Sequence, residues 1–215
     1  MADVQPIRAE KLLRVAYHEA GHAVMSCIGG FRFVRGCTID PAIVRAWVRD
    51  DRGLSDDEMH EMYTAQGTTF IGMTHIEDSD VGPDDTPDAV NDAYLRRAKR
   101  SIAGLCATEI LPYSDDDQGM AAHDKWTLQD YVDSRTQYCQ RRGLEELLDG
   151  EPPQAFEERV WREARADIAT NRTKVEGVAH ALLAAPAHTL EPDELYGLIG
   201  AIAHPNGTLR QKGSR

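Results

Sequence analysis

Residues 16–23 form the stretch of the chain whose residue types and spacing most clearly suggest chemistry. They read Ala-Tyr-His-Glu-Ala-Gly-His-Ala, so His18 and His22 are four residues apart, with Glu19 between them. Residues four apart on an α-helix lie one turn apart on the same face, so both imidazoles can bind one metal ion. Zinc suits this ligand type. Glu19 can then accept a proton, as a general base, from a water molecule that the metal activates.

The two histidines do not belong to the apolar face of their own predicted helix. Apolar residues recur at helical spacing from Leu12 to Ile28, and Gly29-Gly30 end the pattern. At about 100° per residue, this apolar stripe is centred roughly 170° away from the midpoint of His18 and His22. The alternative is a pair of ordinary surface or core histidines. The spacing and the position together favour metal ligands over that alternative.

A hydrolytic zinc site has three protein ligands and an open position, so a third ligand must come from elsewhere in the chain. Asp124 is the best candidate, because it falls near the middle of an apolar stripe on the helix predicted over Gln118–Arg142. Burying an unpaired carboxylate there costs several kcal/mol of free energy, and a bound metal ion would offset this cost. Two alternatives stay open. In the first, Asp124 is not a ligand and instead reaches solvent or pairs with an arginine such as Arg135. In the second, the neighbouring His123 is the third ligand.

Composition and charge limit the classes of partner. The 215 residues include 24 Lys and Arg against 36 Asp and Glu, which gives a formal net charge of −12. This balance argues against nucleic acid, because clustered basic side chains bind the phosphate backbone. No run approaches about 18 apolar residues, and residues 1–10 lack the basic-then-apolar pattern of a secretory signal. We therefore expect a soluble, cytoplasmic chain with no membrane partner.

The cysteines carry no metal or redox motif. They are Cys27, Cys37, Cys106 and Cys139, and no two of them form a C-x-x-C pair. Three of them stand among apolar residues. We therefore expect small buried thiols in a reducing compartment.

Hydropathy patterns predict a mostly helical α+β domain with a small β-sheet next to the histidine helix. This domain is predicted to cover residues 1–205 and to be followed by a flexible polar tail over residues 206–215. Branched and aromatic residues predict two strands, Phe33–Ile39 and Thr68–Thr74.

Turn and capping residues mark the remaining elements. Ser55 and Glu58 form a capping-box pattern that predicts a short helix over Asp56–Gln66. The acidic segment Glu77–Asp88 has no periodicity and is predicted to be a loop. Further helices are predicted over residues 86–111, 118–142, 154–184 and 192–203.

The segment Glu10–Ala23, with its Ala-Tyr-His-Glu-Ala-Gly-His-Ala core, resembles the start of the peptidase domain of FtsH-type zinc metalloproteases. Gly36–Pro41 looks like the first strand of that family, and Phe70–Thr74 looks like its second. Ile102–Leu111 is similar to the Ala- and Gly-rich helix of the family. The resemblance implies a zincin-like helical domain.

The resemblance extends through the second half of the chain. Asp124 falls where the family has its aspartate zinc ligand, and its place on an apolar stripe independently makes it the best candidate for the third ligand. Ala169–Ile199 looks like the closing helices of the family. The resemblance therefore covers the chain from about Glu10 to Ile199.

The chain also departs from the FtsH-type pattern. Those enzymes carry an AAA ATPase module and usually membrane spans, whereas no Gly-rich phosphate-binding loop occurs in this sequence. A separate ATPase or activator is therefore a candidate partner, and a homo-oligomer is a candidate assembly. An acidic helical insertion over residues 42–67 is expected to form a lid or an extra wall. The Gly-Met-Ser-like stretch of the family is not recognisable over Gln137–Gly143.

Glu109 is a further acid with two interpretations. The resemblance implies a place close to the metal helix, where Glu109 could orient a histidine. The alternative is a surface glutamate near a helix C-terminus. The other histidines have no partner at ligand spacing and are expected to be ordinary residues; they are His60, His75, His180, His188 and His204.

The main hypothesis is a zinc endopeptidase that holds one zinc ion per chain on His18, His22 and Asp124. Glu19 acts as its general base, and unfolded or flexible polypeptides are its substrates. The strand Thr68–Thr74 is expected to hold an extended substrate by strand addition. The alternative is a non-catalytic binding or regulatory module that retains the metal site. The presence of Glu19 favours the enzyme, since a structural zinc site needs no base and closes its fourth position with protein.

Overall fold

The computed structural model describes residues 9–55, 57–59, 72–77, 85–112, 118–203 and 209–211. These residues are mostly helical with a small antiparallel sheet, which confirms the predicted α+β class. The helices are α1 (Ala9–Gly29), α2 (Pro41–Arg52), α3 (Pro87–Thr108), α4 (Gln118–Arg142), α5 (Glu145–Gly150), α6 (Pro153–Thr170), α7 (Arg172–Ala184) and α8 (Pro192–Ile199). The strands are β1 (Arg32–Thr38), β2 (Met73–Glu77), β3 (Thr189–Leu190), β4 (Ala201–Ala203) and β5 (Leu209–Gln211).

Helix α1 is the centre of the domain. It packs against α3, α7 and the sheet, and Val15, Ala20 and Val24 on it are fully buried. Small residues let α1 and α3 approach closely, because a Cβ atom on Gly21 would overlap the main-chain carbonyl of Ala103. Interiors are packed densely enough that such a contact sets the spacing of two helices. The backbone of α3 therefore lies directly beside the histidine helix.

The main sheet has the order β2-β1-β3, and both pairings are antiparallel. Cys37 on β1 lies opposite Thr74 on β2, and a bulge interrupts the register between Phe33 and Gly36. Gly36 has a φ of 93°, and a Cβ atom there would overlap the carbonyl of Leu190. Only glycine adopts such a backbone conformation readily. In the part of the chain that the structure describes, β2 is an edge strand.

The two faces of β2 contact different helices, as the alternation of side chains along a strand requires. Thr74 contacts Glu19 of α1, whereas Met73 joins a separate apolar cluster with Val44 and Val48 of α2. His75, on the same face as Met73, lies 2.9 Å from the carboxylate of Asp51, measured from Nε2 to Oδ2. In its described residues, 42–55 and 57–59, the predicted insertion therefore packs as an extra wall against one face of the sheet.

Three predicted helix boundaries are corrected. The helix expected over residues 154–184 is broken at Asn171, which has non-helical angles (φ −105°, ψ 20°) and whose Nδ2 donates to the carbonyl of Asp167. Asparagine side chains compete in this way for backbone groups, while the apolar periodicity continues across the break. The helix expected through Leu111 ends at Thr108. The last helix ends at Ile199 rather than Ala203, because Gly200 adopts the left-handed capping conformation (φ 74°).

The ends of the predicted strands also move. Strand β2 begins at Met73 and continues to Glu77, so it overlaps the predicted strand only at its end, and residues 68–71 lie outside the described residues. Strand β5 lies inside the predicted tail and pairs with β4. Helix α5 was not expected from the hydropathy pattern. Short elements of this kind depend on tertiary partners that local patterns do not specify.

The capping box predicted at Ser55 is confirmed. The Glu58 carboxylate accepts hydrogen bonds from the amide and the hydroxyl of Ser55, at 2.8 and 2.7 Å, and the Glu58 amide donates to Ser55 Oγ at 3.3 Å. Asp56 and residues 60–66 of the predicted helix lie outside the described residues. Residues 78–84 of the predicted acidic loop do so as well.

Two expectations about the whole chain can be compared with the fold. All four cysteines are buried and none forms a disulfide, which confirms the prediction of buried thiols. Among the described residues, no helix combines the length and the apolar composition that crossing a lipid bilayer would need.

Arg135 is the largest fully buried side chain among the described residues, and it connects α4 to three other parts of the fold. Its Nε donates to Asn91 on α3 at 3.0 Å, and its Nη1 donates to the Glu151 carbonyl at 3.2 Å. The guanidinium also lies 4.4 Å from the ring centroid of Phe156. Arg135 lies about three turns from Asp124 along the same helix and bonds to Asn91 and Glu151, so its proposed pairing with Asp124 is wrong.

We predict that Arg135→Ala lowers the free energy of unfolding by roughly 3 kcal/mol, because several buried acceptors lose their donor at once. The measurement is urea unfolding followed by circular dichroism. Arg96→Ala is the control, since Arg96 forms an exposed pair with Asp92 and should change stability by less than about 0.5 kcal/mol. Equal effects of the two substitutions would contradict this account of Arg135.

Candidate metal centre

Three side chains from two helices meet at one point. His18 and His22 lie on α1 and Asp124 lies on α4. The two Nε2 atoms are 3.1 Å apart, and Asp124 Oδ2 lies 3.6 Å from that of His18 and 3.5 Å from that of His22. His18 and Asp124 are buried, and the side chain of His22 is 16% exposed. The structure thus brings the three predicted ligands together in a group that could hold a metal ion.

The size of this group suits a small divalent cation. From the three separations, a point in the plane of these atoms is about 2.0 Å from each, which is close to zinc–nitrogen and zinc–oxygen bond lengths. Asp124 Oδ2 is buried and has no hydrogen-bond partner among the described residues. Its separations from the rings exceed the 2.7–2.9 Å typical of a charge-assisted hydrogen bond. These observations fit a cation between the three side chains.

The backbone of α3 orients His22. Its Nδ1 donates a hydrogen bond of 2.8 Å to the main-chain carbonyl of Arg100. A carbonyl can only accept, so this bond places the ring proton on Nδ1 and leaves Nε2 as the nitrogen that faces His18 and Asp124. This contact could not be predicted from the sequence, because any residue type supplies the same main-chain carbonyl.

Gly104, one turn after Arg100 on α3, makes room for both rings. A Cβ atom at this position would lie 2.5 Å from Cε1 of His18 and 2.6 Å from Nε2 of His22. Real Cβ atoms are not found so close to other side chains, so any other residue here would displace the imidazoles. The absence of a side chain at Gly104 is therefore part of the site.

The charges at the site stabilise one another. Burial by itself disfavours the charged form of His22, but the Asp124 carboxylate outweighs this effect and raises the pKa of His22 to about 9. Burial likewise opposes the charged form of Asp124, yet His22 and His18 hold its pKa below the ordinary value. The negative potential that favours a proton on His22 also favours a metal cation, which would replace that proton.

Glu19 lies beside this group and is hydrogen-bonded to Thr74 near the start of β2. Its Oε2 accepts a hydrogen bond of 2.9 Å from Thr74 Oγ1. A Cβ atom on Gly72, the residue before β2, would lie 2.5 Å from Glu19 Cγ, so the backbone there passes close to the Glu19 side chain and leaves no room for a larger residue. Burial raises the pKa of Glu19 to about 7, although His22 and Thr74 lower it. Thr74 and Gly72 were not predicted, because their contact depends on strand register.

The structure decides two questions that the sequence leaves open, namely the role of Glu109 and whether His123 is a ligand. The half-exposed Glu109 pairs with Arg165, at 2.9 Å from Oε1 to Nη2, so the surface interpretation applies and the carbonyl of Arg100 orients a histidine instead. His123 is exposed on α4 and its ring stacks near that of Trp126, with 6.4 Å between centroids. His123 does not belong to the group that could hold a metal.

The remaining described histidines have other contacts. His75 pairs with Asp51, the His180 ring lies 6.3 Å from that of Tyr17, and His188 Nδ1 lies 3.1 Å from the Leu182 carbonyl. None of the three joins the metal-ligand group of the described residues. His60 and His204 lie outside the described residues.

We predict that Gly104→Ala weakens Zn²⁺ binding by at least about tenfold, because the added methyl group displaces both ligand rings. The measurement is a competition titration of metal-free protein with a zinc indicator. Gly177→Ala is the matched control, since Gly177 lies within α7 and has no atom within 4 Å of an added Cβ. The control should bind zinc normally and gain about 0.5–1 kcal/mol of stability from helix propensity. Unchanged affinity in Gly104→Ala would refute the role given to this glycine.

No family model, curated protein or solved structure matches the chain.

Proposed function

We propose that the chain is a zinc-dependent endopeptidase with a zincin-like, FtsH-like domain. The observation that carries the proposal is the buried group of His18, His22 and Asp124 with the carboxylate of Glu19 beside it. Two imidazoles and one carboxylate are the donor set of a catalytic zinc site with an open position. A purely structural site would have no use for a buried carboxylate next to its ligands.

A bound zinc ion would polarise the substrate carbonyl and lower the pKa of water. Glu19 would accept the proton of the attacking water and later return it to the leaving amine. His18, His22 and Asp124 would hold the cation, and the Arg100 carbonyl would keep His22 in the ligating tautomer. Burial of these groups strengthens their electrostatic effect, because little water competes for them.

Strand β2 is the proposed substrate-binding edge. It ends the sheet of the described residues, and Thr74 on this strand contacts Glu19. An extended peptide that adds to this edge would pass next to the base and the metal ligands. Strand addition uses main-chain hydrogen bonds, which folded proteins seldom offer. The proposed substrates are therefore unfolded or flexible polypeptides, and a separate ATPase that supplies them is a proposed partner.

The first test concerns the metal. We predict that metal-stripped protein binds one Zn²⁺ per chain and that Asp124→Ala lowers the affinity at least about 100-fold, because one of three ligands is lost. The measurement is elemental analysis after dialysis, together with a competition titration. Asp130→Ala, on the exposed side of the same helix, should bind zinc like the parent. If Asp124→Ala retained the parental affinity, the ligand assignment would be wrong.

The second test concerns the base. We predict that Glu19→Gln retains one zinc per chain but lowers the rate of casein cleavage by at least about 1,000-fold, since an amide cannot accept the proton. The measurement is release of labelled peptides, with zinc content determined on the same samples. Parent protein that binds zinc but leaves casein intact would favour the non-catalytic module. Cleavage by Glu19→Gln at the parental rate would rule out the proposed mechanism.

A further inference from the structure

The hydroxyl of Thr74 contacts three groups on two other elements. Its Oγ1 lies 2.9 Å from Glu19 Oε2, 3.1 Å from the Glu19 main-chain carbonyl and 3.3 Å from Cys37 Sγ. Thr74 and Cys37 are paired across β2 and β1, so the position of the hydroxyl is set by the sheet. The three contacts place Thr74 between the sheet and the carboxyl group of Glu19.

The single proton of the hydroxyl has one strongly preferred acceptor. A threonine hydroxyl donates once, and a carboxylate oxygen is a stronger acceptor than a neutral carbonyl or a sulfur atom. The Glu19 carbonyl also lies inside α1, where the helix supplies its own donor. The Thr74 proton is therefore directed to Oε2. Burial raises the pKa of Cys37 well above its ordinary value, so the thiol stays neutral and its sulfur is only a weak acceptor for the Thr74 hydroxyl.

The opposite side of the carboxyl group is limited by backbone. Gly72 is the residue directly before β2 and lies two residues from Thr74. A Cβ atom on Gly72 would lie 2.8 Å from Glu19 Oε1 and 2.9 Å from Cδ. The carboxyl group thus has a donor at one oxygen and a close main-chain wall at the other. Its orientation is set by the strand rather than by the helix that carries it.

We propose that Thr74 is a positioning residue for Glu19. Its hydroxyl holds Oε2 and so fixes the direction of the whole carboxyl group, which in the proposed function accepts the proton of the attacking water. The catalytic part of this inference rests on the proposed function, whereas the hydrogen bond and its effect on Glu19 do not. It follows that valine, which has the shape of threonine, cannot replace Thr74, and that serine can.

The hydrogen bond is tested first in metal-free protein, where no activity is needed. Thr74→Val should raise the unfolding equilibrium constant roughly tenfold in the parent, because the buried Glu19 carboxylate loses its donor. In a Glu19→Ala background the same change should raise it less than about threefold. The measurement is urea unfolding of the four proteins in a double-mutant cycle. Equal effects in both backgrounds would overturn the proposal, since Thr74 would then serve packing alone.

The positioning role is tested on zinc-loaded protein with a peptide substrate. Thr74→Val should lower kcat by about 10- to 100-fold, with KM and zinc content unchanged, because binding of substrate and metal does not use the hydroxyl. Thr74→Ser should recover the parental kcat to within about threefold. A Thr74→Val enzyme with kcat within about twofold of the parent would overturn the proposal. If the parent itself cleaves nothing, the proposed function fails, and the metal-free cycle alone decides whether Thr74 holds Glu19.

Discussion

Burial of the Asp124 carboxylate between two imidazoles is the interaction on which the rest of this site depends. An ion of this size is costly to remove from water unless opposite charge compensates it closely. His18 and His22 supply that compensation from a single helical turn, and a divalent cation would supply it more fully. Because the group spans α1 and α4, the stability of the helix packing and the affinity for a cation are linked.

Small residues make that burial feasible. Gly21 allows α3 to pack against α1, and Gly104 lets the imidazoles lie against the α3 backbone, within reach of the Arg100 carbonyl. Glycine normally weakens a helix by about 1 kcal/mol relative to alanine. At Gly21 and Gly104 that cost is offset by a close approach that no larger residue permits. The same contacts hold the ring of His22 in the tautomer that presents Nε2 to the centre.

The parts of this site that could be predicted from the sequence are those that follow from helical periodicity. The spacing of His18 and His22 puts both on one face, and the position of Asp124 within an apolar stripe requires a buried partner. Thr74 and the Arg100 carbonyl could not be predicted, because one depends on strand register and the other on a main-chain atom. The break at Asn171 was missed for a related reason, since apolar spacing continues through it while the backbone does not.

Helix α2 packs against the face of β2 that points away from Glu19. His75 follows Thr74 directly and faces the other way, where it pairs with Asp51 of α2. Consecutive residues of one strand therefore connect the Glu19 carboxylate on one face of the sheet to α2 on the other. Because Met73 and His75 hold β2 against α2 on one face, and Thr74 holds it against Glu19 on the other, the packing of α2 supports the position of the Thr74 hydroxyl. The surface of α2 is therefore joined to the Glu19 carboxylate by two consecutive residues of one strand, at a distance from the three side chains that could hold a metal ion.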